Sequence, residues 1–152
     1  MKMLTLREVF QISRDHLLKQ GRRAMDYDGP GKERCVFHTR QGLKCAVGVF
    51  IPETSYMPCL EHEPLADVTV MTGSARLRQA LLDGGVDVRQ PGMFMLLKSL
   101  QGIHDRDVPA GDFPPADGSW SNQLKLLAVR LENLLGRFEE YEDAYPVAPL
   151  AE

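Results

Sequence analysis

Residues 34–53, RCVFHTRQGLKCAVGVFIPE, hold two of the three cysteines, a glycine turn and the longest apolar run of the chain. Residues 35–39, Cys-Val-Phe-His-Thr, read as a short strand, because β-branched and aromatic side chains suit a pleated surface. Strand geometry puts Cys35 and Phe37 on one face and Val36 and His38 on the other. Arg40, Gln41 and Gly42 then turn the chain, with Gly42 supplying the positive φ that other residues resist. The run over residues 45–51 is apolar without a clean period, so two readings stand. As a strand it closes a hairpin on residues 35–39. As a short helix it starts after Lys44 and leaves Cys45 at an electropositive N-terminus. Pro52 stops it in both.

Around this stretch lie helices. Residues 5–20 form the clearest one: Thr5 and Glu8 make a capping box, and Gly21 closes the end. Leu6, Val9, Phe10, Ser13 and Leu17 are its buried stripe, flanked by a partly buried structural His16. Residues 22–33 are a polar loop rich in turn formers, and residues 68–71 read as a short strand at the edge of the hairpin. Ser74 caps a helix over residues 75–83, stopped by Gly84 and Gly85. Residues 92–104 are amphipathic, with Phe94, Leu97, Gln101 and His104 on one face, widened by Leu96, Leu100 and Ile103. A loop over residues 106–118 carries three prolines and two glycines. The longest helix spans residues 119–140, with Trp120, Leu124, Leu127, Leu131, Leu134 and Phe138 at helical spacing. The expectation is an α+β fold of about four helices on a small antiparallel hairpin or three-stranded sheet. One globular domain occupies residues 1–140, and an acidic, proline-containing tail follows over residues 141–152.

At 152 residues and 43% hydrophobic, the chain is long enough for one domain with a real core. A net charge of −3 supplies no basic field for a phosphate backbone, so nucleic-acid binding is disfavoured. No apolar run is long enough for a membrane helix, and the first residues read as a helix, not a secretory signal. An odd number of cysteines, three, then points to reduced thiols and a cytoplasmic setting.

Cys35-x-aromatic, Gly-Leu-Lys-Cys-Ala-Val-Gly over residues 42–48, Ile-Pro-Glu over residues 51–53 and Tyr56 form one pattern. Leu-Gln-Gly-Ile-His-Asp over residues 100–105 and Trp120 follow it. Together they resemble a family of small uncharacterised phage, prophage and bacterial proteins. The resemblance touches about two-thirds of the chain and is most specific over residues 42–51. It implies a mobile-element setting and carries no reaction.

Four chemistries fit the residues. Cys45 as nucleophile, His104 as base and Asp105 as orienter would make a cysteine-dependent hydrolase or transferase, given a thiol activated by a helix N-terminus and an imidazolium. Against it, cysteine is among the most buried residue types, and no neighbouring motif marks an oxyanion hole. Cys35-x-x-His38 and Cys59-x-x-His62 offer four zinc ligands, although residues three apart on a strand face opposite ways. Asp105 and Asp107, with Glu61 and Glu63, are paired carboxylates for which exposed surface acids are the simpler reading. Phe113, Trp120, Tyr141 and Tyr145 have the aromatic character of a protein-docking surface. With no complete catalytic signature, the reading favoured is a non-enzymatic, cofactor-free accessory protein. It would be phage- or prophage-encoded and would modulate a host protein by binding it.

Overall fold

The structure, a computed structural model, describes residues 2–27, 33–62, 75–111 and 114–144. Among these residues, four helices pack against a two-stranded antiparallel sheet, an α+β arrangement. Helix α1 (Leu6–Gln20) starts as its sequence requires. The Thr5 hydroxyl accepts from the Glu8 N–H at 3.1 Å, and the Glu8 carboxylate accepts from the Thr5 N–H at 3.2 Å. The helix ends where Gly21 turns left-handed, at φ 69°, and donates to the Leu17 carbonyl. Leu6, Val9, Phe10, Ser13 and Leu17 are all buried.

Strands β1 (Met25–Tyr27) and β2 (Glu33–Cys35) form the sheet, with Met25 opposite Cys35 and Asp26 opposite Arg34. The hairpin therefore lies one element earlier than expected. Part of the polar loop assigned to residues 22–33 is its first strand, and β2 ends at Cys35, where the expected strand began. The Arg40-Gln41-Gly42 turn is present. Thr39 N–H donates to the Leu43 carbonyl at 2.8 Å, Leu43 N–H donates to the Thr39 hydroxyl at 2.9 Å, and Gly42 has φ 90°. It closes only a single bridge, His38 to Lys44. Beyond Cys45 the chain turns and enters a 3-10 turn, Gly48–Phe50, so neither the strand nor the α-helix forms.

Packing explains this. Gly48 lies against the backbone of Phe37, where a Cβ would collide with the Phe37 carbonyl. That close approach bends the run back beneath the turn. Helix α1 supplies the hydrogen bonds that a strand partner would have given. Ser13 Oγ donates to the Ala46 carbonyl at 2.9 Å, and His16 Nε2 lies 2.7 Å from the Lys44 carbonyl. Gln20 accepts from the Lys44 N–H at 3.0 Å and donates to its carbonyl at 2.9 Å. Backbone polar groups buried without a ladder need such partners.

Helix α2 (Ala75–Asp83) buries Leu77, Ala80 and Leu81, and the chain leaves it through Gly84 and Gly85. Helix α3 (Met93–Asp107) buries Met93, Leu96, Leu97, Leu100, Ile103 and His104. Helix α4 (Ser119–Ala144) packs on α1 and α3 through the buried Leu127, Leu131 and Leu134. Each fully buried leucine in this core contributes about 1.5–3 kcal/mol. The α4 backbone continues past residue 140 to Ala144, so the first residues assigned to the tail are helical. The expected edge strand at residues 68–71 and the Ser74 cap lie outside the described residues. Among the described residues, no helix is long and apolar enough to cross a membrane.

Candidate functional site

Two places in this fold carry the chemistry that the sequence raised. The first lies where the end of α3 meets the hairpin. His104 is fully buried, because its position falls on the apolar face of α3, and both ring nitrogens are engaged. The Ala24 N–H donates to Nε2 at 3.0 Å, which leaves the ring proton on Nδ1. Nδ1–H then donates to Asp105 Oδ1 at 2.8 Å. Gln101, one turn earlier, donates to the same carboxylate oxygen at 2.9 Å. Cys35, on β2, brings its thiol to this carboxylate as a further donor. Its sulfur, the His104 imidazole and the Asp105 carboxylate lie within 4.8 Å of one another. Nearby, the Arg23 N–H donates to the Pro109 carbonyl at 2.6 Å and its guanidinium to the Val108 carbonyl at 3.1 Å, clamping the hairpin's base to the end of α3.

The electrostatics follow from this packing. Partial burial pushes the thiol of Cys35, a residue exposed as a whole, up to about 11, and the adjacent Asp105 carboxylate adds to the effect. Burial also raises Asp105, but hydrogen bonds from His104, Cys35 and Gln101 outweigh it and hold the carboxyl below its ordinary range. With Cys35 raised and Asp105 lowered, the cluster at neutral pH holds a protonated thiol beside a carboxylate, and the His104 ring accepts at Nε2 and donates at Nδ1.

Cys45, the expected nucleophile, is fully buried and accepts a hydrogen bond from the Gly48 N–H at 3.2 Å. Burial drives its thiol up to about 12, against smaller opposing effects of the Gly48 and Val47 amides. The helix N-terminus that would have activated it does not form. The cysteine beside His104 and Asp105 is Cys35, a pairing no spacing in the sequence displayed. In consequence, Cys45 should resist alkylation in the native protein and react only on unfolding, while exposed Cys35 and half-buried Cys59 react first. Peptide mapping after timed iodoacetamide treatment would show this order, and early labelling of Cys45 would contradict it.

The four proposed zinc ligands are not brought together as a cluster; among the described residues the single group with metal-binding spacing is Cys35, His104 and Asp105. His38 is buried, stacks on Tyr56 at 4.3 Å and lies 2.7 Å from the Gly48 carbonyl through Nε2. Cys59 takes a weak contact from Arg76 at 3.6 Å, and His62 is exposed. The sequence reading missed Glu61 as an organiser of the central stretch. Its carboxylate accepts from the N–H groups of Phe37 at 2.8 Å and His38 at 3.2 Å, and from the Tyr56 hydroxyl. Burial, then the Glu61 carboxylate, raises the Tyr56 phenol well above its usual value. Asp107 pairs with Arg130 at 3.3 Å, so the Asp105–Asp107 pair is divided between two structural contacts.

The second place is the outer face of α4. Leu127, Leu131 and Leu134 face the core, whereas Leu126, on the flank of the helix, and Val129, near its opposite side, are 49% and 55% exposed. Lys125, Arg130 and Arg137 are exposed and flank them. Of the expected docking aromatics, Trp120 is half-buried and lies beside Gly111. Phe113 and Tyr145 lie outside the described residues, and Tyr141 falls in the last turns of α4.

Comparison with protein-family models, curated proteins and solved structures finds no match to this chain.

Proposed function

We propose that the protein is a non-enzymatic accessory factor that binds a protein partner along the outer face of α4. The observation that carries this reading is the pair Leu126 and Val129, apolar and about half exposed on a helix whose inner face already seals the core. Such a second apolar stripe on one helix suits a helix-on-helix contact, read through side chains three and four residues apart. The flanking Lys125 and Arg137 select a partner segment whose apolar side chains sit between carboxylates, Arg130 being paired with Asp107 inside the fold. The Cys45 and His104 side chains, held in buried hydrogen bonds, serve the fold in this reading. The resemblance over residues 35–56 and 100–105 supports a phage or prophage setting, with the partner drawn from the host.

A photoreactive amino acid at position 126, in tagged protein produced in a bacterial host, tests this directly. Irradiation is expected to link position 126 to one protein, through an apolar segment bordered by acidic residues. The double variant Leu126→Asp, Val129→Asp should lose that partner with an unchanged melting temperature, because neither side chain belongs to the core. Undiminished capture by the folded double variant, or no crosslink at position 126, would overturn the proposal.

A further inference from the structure

We propose that Cys35, His104 and Asp105 form a binding site for a divalent first-row transition metal of the zinc type. A sulfur, an imidazole nitrogen and a carboxylate oxygen converge there within 4.8 Å of one another. These are the three donor types that zinc and its neighbours accept, and three protein ligands with a fourth position open is the layout of a site that exchanges ligands with solvent. Metal–ligand bonds of roughly 2.0–2.3 Å place tetrahedral donors about 3.3–3.7 Å apart, so around an ion the His104–Asp105 contact, now 2.8 Å, opens slightly and the widest spacing, at most 4.8 Å, closes. The burial pattern suits such a site: His104 is fixed inside, while Cys35 and Asp105 are exposed and can move to close it. A thiolate and a carboxylate together balance the charge of a dication.

A second observation comes from Gln101. Its amide nitrogen steadies Asp105, but its oxygen, Oε1, is buried with no hydrogen-bond partner. Buried acceptors left unpaired are uncommon in native proteins and call for a reason. The amide nitrogen is the end that faces Asp105, at 2.9 Å, and His104, at 3.4 Å; a 180° turn of the amide would put Oε1 there instead, as an acceptor for a water bound at the open position of a metal.

Loading changes the hydrogen bonds in a defined way. The ion takes the place of the proton on Nδ1, and the Cys35 thiol releases its proton to solvent. The neutral ring then carries its proton on Nε2, by exchange with solvent, facing the Ala24 N–H that now donates to it. The Ala24 amide therefore loses its acceptor when the metal binds. This couples the site to the base of the hairpin, because the Ala24 carbonyl also accepts from the Val36 N–H at 3.1 Å.

Titrating the reduced full-length chain with Co²⁺ reads the site optically. One equivalent is expected to produce a thiolate-to-cobalt charge-transfer band in the near ultraviolet. Cys35→Ser should abolish the band, Cys59→Ser should leave it, and Asp105→Asn should weaken binding at least tenfold. In the unaltered protein, Zn²⁺ should slow alkylation of Cys35 at least tenfold without protecting Cys59, and should speed hydrogen exchange at the Ala24 amide. The last two readouts need no variant, so a folding defect in Cys35→Ser does not leave the proposal untested. Absence of the cobalt band, its survival in folded Cys35→Ser, or unchanged Cys35 alkylation with Zn²⁺ would each overturn it.

Discussion

Replacing Gly48 by alanine is expected to destabilise the protein by about 3 kcal/mol or more, the upper end for forcing an extra carbon into a packed interior. The added Cβ meets backbone, not a side chain that can swing away: the Phe37 carbonyl stands in its path, with the carbonyl carbon at 2.7 Å and the Cα at 2.9 Å. Phe37 cannot retreat easily, because its N–H is held by Glu61 at 2.8 Å and its carbonyl accepts from Cys45 at 3.2 Å. Relief would have to move the 38–44 turn and the 3-10 segment together. Gly136 provides the control. It lies in α4, where an added Cβ would meet nothing within 4 Å, so alanine there should stabilise by about 1 kcal/mol through helix propensity. Urea denaturation of the two variants should shift the midpoints in opposite directions. Equal midpoints for Gly48→Ala and the parent would mean that Phe37 and Gly48 are not packed as described.

His104→Ala, measured in chelator-containing buffer, should cost about 3–5 kcal/mol, the sum of a cavity and an orphaned backbone donor. The ring is wholly buried, and its removal leaves the Ala24 N–H without the acceptor it now finds at 3.0 Å. It also removes the donor at 2.8 Å that holds Asp105. His104→Leu separates the two contributions, since leucine restores much of the volume but accepts no hydrogen bond. It is expected to recover part of the loss and to remain about 1–3 kcal/mol less stable than the parent, the cost of the unpaired amide. Full recovery in His104→Leu would show that the imidazole acts by filling space alone.

These two positions also mark where sequence and structure part. Helix α1 was legible from end to end, because a capping box, a 3.6-residue stripe and a glycine stop are all local signals. The inner stripe of α4 was legible for the same reason, as were the two glycines that end α2. The run after Lys44 was not, because its conformation is set by a tertiary approach of Gly48 to Phe37 and by side chains from α1. Neither leaves a periodic trace. The hairpin was misplaced for a related reason: Met25, Asp26 and Tyr27 make a strand too short and too polar to stand out from the turn formers beside it. At the candidate site, the adjacent His104 and Asp105 were visible as a pair. Their cysteine was not, because Cys35 reaches them only through the hairpin's docking on α3. The basic flank of Leu126 and Val129 was hidden inside a helix whose core stripe accounted for its obvious apolar residues.

The ladder of Ser13, His16 and Gln20 onto residues 44–46 has a consequence for how the molecule breathes. A stretch with its own strand partner can open locally, like a flap, while the remainder stays folded. Here the carbonyls of Lys44 and Ala46 are held by a helix more than twenty positions away in the chain. Residues 44–46 cannot peel off without exposing polar groups on α1, and α1 cannot fray past Ser13 without stranding those carbonyls. The amides of both segments therefore belong to one cooperative opening unit, with protection that rises and falls together.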